Sequence, residues 1–131
     1  MVTPHFMVSR GGQEVTWPTK NVVSAATASA ELDMMTTVVK EGTGVRAGIY
    51  GYTVAGKTGT GQQVAEDTGT YGENSGFVAS FCGIVNPSES DLMVYVGLND
   101  TYQLASQSAA VVFSQFAKDA ATRLNIQPIN N

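Results

Sequence analysis

One short segment of the chain combines a cation, hydroxyls and glycines at a spacing that suits the binding of an anionic ligand. It is Lys57-Thr58-Gly59-Thr60. A lysine ammonium supplies positive charge, threonine hydroxyls donate hydrogen bonds, and glycine lets a ligand approach the backbone closely. The next basic residue is Lys118, so this lysine is the only cation in its part of the sequence. The segment is therefore the candidate functional site.

The run from Gly51 to Thr58 also fits the phosphate-binding loop pattern G-x-x-x-x-G-K-[ST]. In that pattern the backbone amides and the lysine hold nucleotide phosphates, and the hydroxyl reaches a magnesium ion. The pattern requires an apolar strand before its first glycine and a helix that begins at the lysine. Residues 45–50 are not an apolar run, and Gly59 and Gly61 would fall in the first turn of that helix. Nucleotide binding is therefore an alternative that the sequence context disfavours.

Two helices are predicted to flank the segment. Apolar residues at helical spacing predict a first helix that begins after Ser24 as its N-cap. The glycines that follow Glu41 are expected to end this helix in a left-handed conformation. A longer apolar stripe, Ala105–Leu124, predicts a second helix with Asp100 or Thr101 as its N-cap.

Three strands are predicted between the two helices. The β-branched residues and flanking turn signals place them at residues 53–60, 77–85 and 92–98. The turn at residues 86–90 joins the last two strands as a hairpin. Residues 2–19, with the Gly11-Gly12 turn, are expected to form a short hairpin or an extended lead-in.

This order predicts the α/β (α+β) class. We expect an antiparallel sheet of about three strands, with a helix on its N-terminal side and a long C-terminal helix packed on it. The 131 residues form a single partial domain, 1–131, in this interpretation. A small sheet with open edges needs further strands or a partner. We therefore expect the chain to be incomplete, and to self-associate when it is alone.

Composition excludes several classes of function. Eleven acidic and seven basic side chains give a net charge of -4, which disfavours nucleic acid as a partner. The single cysteine, Cys82, and the single histidine, His5, exclude an internal disulfide and the usual zinc sites. No metal and no cofactor is expected.

Several segments resemble, in order and spacing, the C-terminal part of the transpeptidase domain of class B (monofunctional) penicillin-binding proteins, with the cell-division type favoured. They are Val2-Thr3-Pro4-His5, Val39-Lys40-Glu41-Gly42-Thr43-Gly44, the run from Gly51 to Gln62, Ala79-Ser80-Phe81-Cys82-Gly83, and the final helix ending Leu124-Asn125-Ile126-Gln127-Pro128. The resemblance implies the penicillin-binding transpeptidase and serine β-lactamase-like fold, in which the K-T-G element lies on a strand beside the active site.

The resemblance also implies roles for the residues of the segment. Lys57 would direct positive potential to the carboxylate of a D-Ala-D-Ala stem peptide or a β-lactam, and would assist the proton relay. The hydroxyls of Thr58 and Thr60 would bind that carboxylate, and the backbone N–H of Thr60 would donate to the oxyanion. Gly59 would let the ligand lie along the strand, and Gln62 would border the site. The predicted catalytic residues are thus Lys57, Thr58, Gly59 and Thr60, and the predicted substrate-binding residues are Lys57, Thr58, Thr60 and Gln62.

For the parent protein, the resemblance implies a serine-type D,D-transpeptidase that cross-links peptidoglycan and binds β-lactams. It would be anchored in the bacterial cytoplasmic membrane, with this part outside the cytoplasm. The family's S-x-x-K and S-x-N motifs do not occur in the chain. We therefore expect a fragment that requires the remainder of the transpeptidase domain as its partner and is inactive alone. A non-catalytic binding or sensor module that keeps the K-T-G strand is the second alternative.

Overall fold

The computed structural model describes residues 2–64, 69, 71, 76–90 and 92–129. The chain divides into two compact units, Met1–Ala30 and Glu31–Asn131. The expectation of a single partial domain over the whole chain stays a prediction. Among the described residues, no helix combines the length and the apolar character that a membrane crossing needs.

The predicted hairpin near the start of the chain is confirmed. Its strands β1 (Ser9–Arg10) and β2 (Gln13–Glu14) are antiparallel. Gly11 and Gly12 form the turn with φ of 59° and 79°. A two-residue turn of this kind needs positive φ at both positions, which glycine adopts without steric cost. The two glycines therefore determine where the hairpin reverses.

Helix α1 (Ala25–Glu41) begins where the sequence predicts, because the Ser24 hydroxyl accepts the backbone N–H three residues later at 3.1 Å. Its end differs from the prediction. The N–H groups of Gly42 and Gly44 both donate to the carbonyl of Val38, at 3.0 and 3.1 Å, but neither glycine has a positive φ. A Cβ at Gly42 would lie 3.0 Å from the Val38 oxygen. The prediction that these glycines end α1 in a left-handed conformation is wrong. They are needed instead because the chain packs closely against the last turn of α1.

The sheet contains β3 (Val54–Gln62), β4 (Phe77–Val85) and β5 (Met93–Thr101). The three strands are antiparallel and lie in that order. All three predicted strands are confirmed, and β3 and β5 run slightly beyond their predicted ends. The turn between β4 and β5 starts at buried Asn86, whose φ is 48°.

Helix α2 (Ala109–Arg123) starts later than predicted. Thr101 is still paired with Phe77 in the sheet, so Asp100 and Thr101 end β5 and do not cap the helix. The predicted cap is wrong because the chain first makes a turn, in which the Ser108 N–H donates to the Leu104 carbonyl at 3.1 Å.

The core lies between α2 and the sheet. The rings of Phe81 on β4 and Phe113 on α2 are tilted at 55° with centroids 4.6 Å apart, and both side chains are fully buried. Gly56 and Gly83 are cross-strand partners beneath these rings. A Cβ would lie 2.6 Å from Phe81 Cζ at Gly56, and 2.7 Å from Phe113 Cζ at Gly83. The glycine pair thus makes room for the rings, and the predicted α/β (α+β) architecture is confirmed.

Candidate functional site

Strand β3 lies at the edge of the three-stranded sheet, and its neighbour is β4. At its ends, the Thr53 carbonyl accepts a hydrogen bond from the residue after β4 (2.7 Å), and the Gln63 N–H donates to the residue before β4 (3.0 Å). Successive residues of an antiparallel strand alternate in the direction of their backbone groups. Thr58 and Thr60 therefore direct N–H and C=O away from β4. Within the described ranges no other strand pairs with this edge, which we call the free edge of β3.

Lys57 is exposed, and its ammonium group contacts the Thr58 carbonyl, which faces the free edge. Its Nζ donates to the Thr58 carbonyl at 2.9 Å and lies 3.4 Å from the Thr58 hydroxyl oxygen. The cation and this hydroxyl are therefore adjacent, as the predicted site requires.

The hydroxyl of Thr58 also contacts the segment that follows α1. Thr58 Oγ1 and Thr43 Oγ1 lie 2.9 Å apart in a hydrogen bond. Thr58 is half-buried and Thr43 is exposed. The segment that follows α1 therefore contacts a residue of the predicted site.

Thr60 lies on the same face of β3 as Thr58, since alternate residues share a face. Its hydroxyl accepts the backbone N–H of Ala105 at 3.3 Å. Ala105 lies in the turn between β5 and α2. Gln62, two residues further, is exposed and by the same alternation shares this face. The structure thus brings the Lys57 ammonium beside the Thr58 hydroxyl, while the Thr60 hydroxyl and Gln62 lie further along the same strand.

Gly59 faces a neighbouring side chain within the sheet. A Cβ at Gly59 would lie 2.7 Å from the Ser80 hydroxyl oxygen, and that hydroxyl donates to the Gly59 carbonyl at 3.5 Å. The observed close approach is therefore made by Ser80 of β4. The predicted contact of Gly59 with a ligand stays a prediction.

The observed backbone contradicts the phosphate-binding loop. Residues after Lys57 continue β3 as far as Gln62 instead of starting a helix, so the helix N-terminus that would hold phosphate is not formed by this segment. No group of three or more His, Cys, Asp or Glu in the described part of the chain is placed to hold a metal ion. What the arrangement offers is a strand edge with an ammonium and two hydroxyls, which suits an extended ligand that carries a carboxylate.

Sequence reasoning missed two contributors to the site, Thr43 and the Ala105 N–H. Thr43 lies in one of the segments that carry the family resemblance, but its position in the sequence gives no sign of contact with Thr58. The Ala105 contact is not predicted, because the apolar stripe places residue 105 in a helix.

Comparison with known proteins defines the class to which the chain belongs. Residues 1–118 match the penicillin binding protein transpeptidase domain. The chain therefore belongs to the penicillin-binding protein transpeptidase family, as its sequence predicts.

Individual relatives agree with this membership. The chain is 36% identical over 115 residues to stage V sporulation protein D of Bacillus subtilis (strain 168), an alignment that covers 86% of this chain. It is 32% identical over 116 residues to penicillin-binding protein PbpB of Mycobacterium tuberculosis (strain ATCC 25618 / H37Rv), which covers 80% of this chain. In each case the match spans only 17% of the relative.

Solved structures share the fold. The chain is 92% identical to a proposed peptidoglycan glycosyltransferase from Atopobium parvulum DSM 20469. The two structures superpose with a TM-score of 0.84, and the alignment covers 98% of this chain and 30% of that one. Penicillin binding protein 3 from Mycobacterium tuberculosis in complex with ampicillin is 30% identical, with a TM-score of 0.76 over 88% of this chain and 28% of that one.

Proposed function

We propose that this chain is part of a longer D,D-transpeptidase, in which the free edge of β3 forms one wall of the active site. The observation that carries the proposal is the position of the Lys57 ammonium beside the Thr58 hydroxyl, with the Thr60 hydroxyl on the same strand. Membership of the transpeptidase family supports it. Because the chain spans 17% of its curated relatives, the nucleophilic serine is assigned to the remainder of the transpeptidase domain.

The chemistry is acyl transfer in two steps. The serine oxygen attacks the peptide carbonyl between the two D-alanines of a stem peptide. The C–N bond breaks, and the terminal D-alanine leaves with the proton on its nitrogen. The amine of a second stem peptide then attacks the ester, forms the cross-link and returns a proton to the serine.

The residues of this chain act on the charged groups of that reaction. Lys57 and the hydroxyls of Thr58 and Thr60 hold the carboxylate of the terminal D-alanine, and the outward N–H of Thr60 donates to the oxyanion. Gly59 lets the peptide lie along the edge, and Gln62 borders it. Anchoring in the bacterial cytoplasmic membrane, placement outside the cytoplasm and a cell-division role belong to the same proposal.

A β-lactam would acylate the same serine. Its ring nitrogen stays attached after the C–N bond opens, so the adduct adds the full mass of the drug. The M. tuberculosis penicillin binding protein 3 structures include complexes with ampicillin and with aztreonam, which supports β-lactams as ligands of this site.

Intact-mass spectrometry tests the proposal. The full-length protein that contains this chain is incubated with benzylpenicillin, next to a heat-denatured sample and the 131-residue chain alone. We expect one benzylpenicillin mass on the native full-length protein and none on the other two. An adduct on the chain alone would refute the placement of the nucleophile. Reversible binding without an adduct on the full-length protein would favour the non-catalytic binding module.

A further inference from the structure

The Thr58 hydroxyl has two neighbours that determine what its own proton can do. Lys57 Nζ lies 3.4 Å from Thr58 Oγ1, and Thr43 Oγ1 lies 2.9 Å from it. A hydroxyl accepts two hydrogen bonds and donates one, whereas an ammonium group only donates. Lys57 therefore fills one acceptor site of Thr58. The direction of the bond between the two threonines decides whether the Thr58 proton is free.

We propose that Thr43 is a positioning residue whose hydroxyl donates to Thr58 Oγ1. With both acceptor sites of Thr58 filled, its proton remains available to a carboxylate at the free edge of β3. This inference rests on the proposed function, since it deepens the account of how that site holds the anionic end of its ligand. It assigns to Thr43 a role that neither its exposure nor its place after a helix would indicate.

The backbone around Thr43 supports the role. The N–H groups of its neighbours, Gly42 and Gly44, both bond to the Val38 carbonyl, at 3.0 and 3.1 Å. Thr43 is therefore held on both sides against the last turn of α1. An exposed hydroxyl pair contributes little to stability on its own, so a fixed geometry here has a clearer use in orienting Thr58 than in holding the fold.

Thr60 shows the same arrangement by a different donor. Its oxygen accepts the Ala105 N–H at 3.3 Å. A backbone N–H can only donate, so the direction of this hydrogen bond is fixed. The Thr60 proton is thereby left free in the way proposed for Thr58. Two hydroxyls on one face of β3 would then direct their protons at the same anion.

Three variants isolate the Thr43 hydroxyl. Thr43→Val keeps the shape and removes the hydroxyl, and Thr43→Ser keeps the hydroxyl. Thr37→Val is the matched control, because the Thr37 hydroxyl donates within α1 to the Asp33 carbonyl at 3.1 Å. Three-bond couplings from Thr58 Cγ2 to its backbone N and C′ report the Thr58 side-chain rotamer by NMR in the full-length protein labelled at threonine. We expect a single rotamer in the wild type, Thr43→Ser and Thr37→Val, and averaging in Thr43→Val.

The second measurement is acylation of the full-length protein by benzylpenicillin and by its methyl ester, which lacks the carboxylate charge. Thr43→Val should lower the benzylpenicillin rate constant about 3- to 10-fold and leave the ester rate nearly unchanged, because the loss is that of one hydrogen bond to the carboxylate. Thr43→Ser should recover most of the rate. A purely structural role would lower both rates alike.

The two measurements separate this inference from the proposed function. An unchanged Thr58 rotamer in Thr43→Val, or equal losses with both compounds, would overturn the role of Thr43 while leaving the transpeptidase intact. If the wild-type protein forms no adduct, the proposed function fails, and the rotamer measurement alone decides whether Thr43 positions Thr58.

Discussion

Replacing Gly56 by alanine tests how the sheet is packed beneath the functional strand. The new Cβ would lie 2.6 Å from Phe81 Cζ, 2.8 Å from Phe81 Cε1 and 2.8 Å from the Cys82 carbonyl oxygen. Phe81 is fully buried and its ring already packs against Phe113, so it has little room to move. Overpacking of this kind costs about 1–3 kcal/mol of the free energy of unfolding.

Two glycines of the same strand provide controls. A Cβ at Gly61 meets nothing within 4 Å, so Gly61→Ala should be neutral or more stable by about 0.4–1 kcal/mol, because alanine lowers the entropy of the unfolded chain. Gly59→Ala meets only the Ser80 hydroxyl, at 2.7 Å, which can rotate away. Its loss of stability should lie between the other two.

Urea unfolding followed by circular dichroism measures these differences. With a denaturant slope of about 2 kcal/mol/M, a loss of about 2 kcal/mol lowers the unfolding midpoint by about 1 M. The double variant Gly56→Ala/Phe81→Leu removes the ring atoms that clash, so it should be more stable than the two single losses added together. The packing account is refuted if Gly56→Ala and Gly61→Ala unfold at the same urea concentration.

Other expectations follow from the same contacts. Asn86→Ala should lower the free energy of unfolding, measured in urea, by about 2–4 kcal/mol. Buried Asn86 accepts the Thr53 N–H at 3.0 Å, donates to the Gln127 carbonyl at 2.8 Å and has a φ of 48°. A loss below about 1 kcal/mol would contradict this expectation. Phe113→Ala should cost about 3–5 kcal/mol, whereas Phe116→Ala on the same helix, 60% exposed, should cost less than about 1 kcal/mol. The isolated chain should self-associate in light scattering, since open sheet edges favour pairing; a monomer at every concentration would count against this.

The sequence predicts the sheet well because its signals are local. Phe77–Val85 is predicted to the residue, since five of its nine residues are β-branched or aromatic and turn residues stand at both ends. The predicted start of α2 is wrong because the apolar stripe continues back to Ala105, although the residues before Ala109 form a turn. Apolar spacing alone does not separate a helix from the turn that leads into it.

The sequence predicts only part of the candidate site. One contiguous motif predicts Lys57, Thr58 and Thr60 as site residues, and all three lie on strand β3 as expected. The contact between Thr43 and Thr58 joins residues 15 positions apart in sequence. It depends on how the end of α1 meets β3, which is a matter of tertiary packing that no local pattern encodes.

The most direct test of the central claim compares two lysines in the full-length protein. The second-order rate constant for acylation by benzylpenicillin is measured for the wild type, for Lys57→Ala and for Lys118→Ala, an exposed lysine on α2. Loss of a charge-assisted contact with the carboxylate should slow Lys57→Ala at least about 10-fold, while Lys118→Ala keeps the wild-type rate. Equal rate constants for all three proteins would contradict the assignment of the free edge of β3 to the active site.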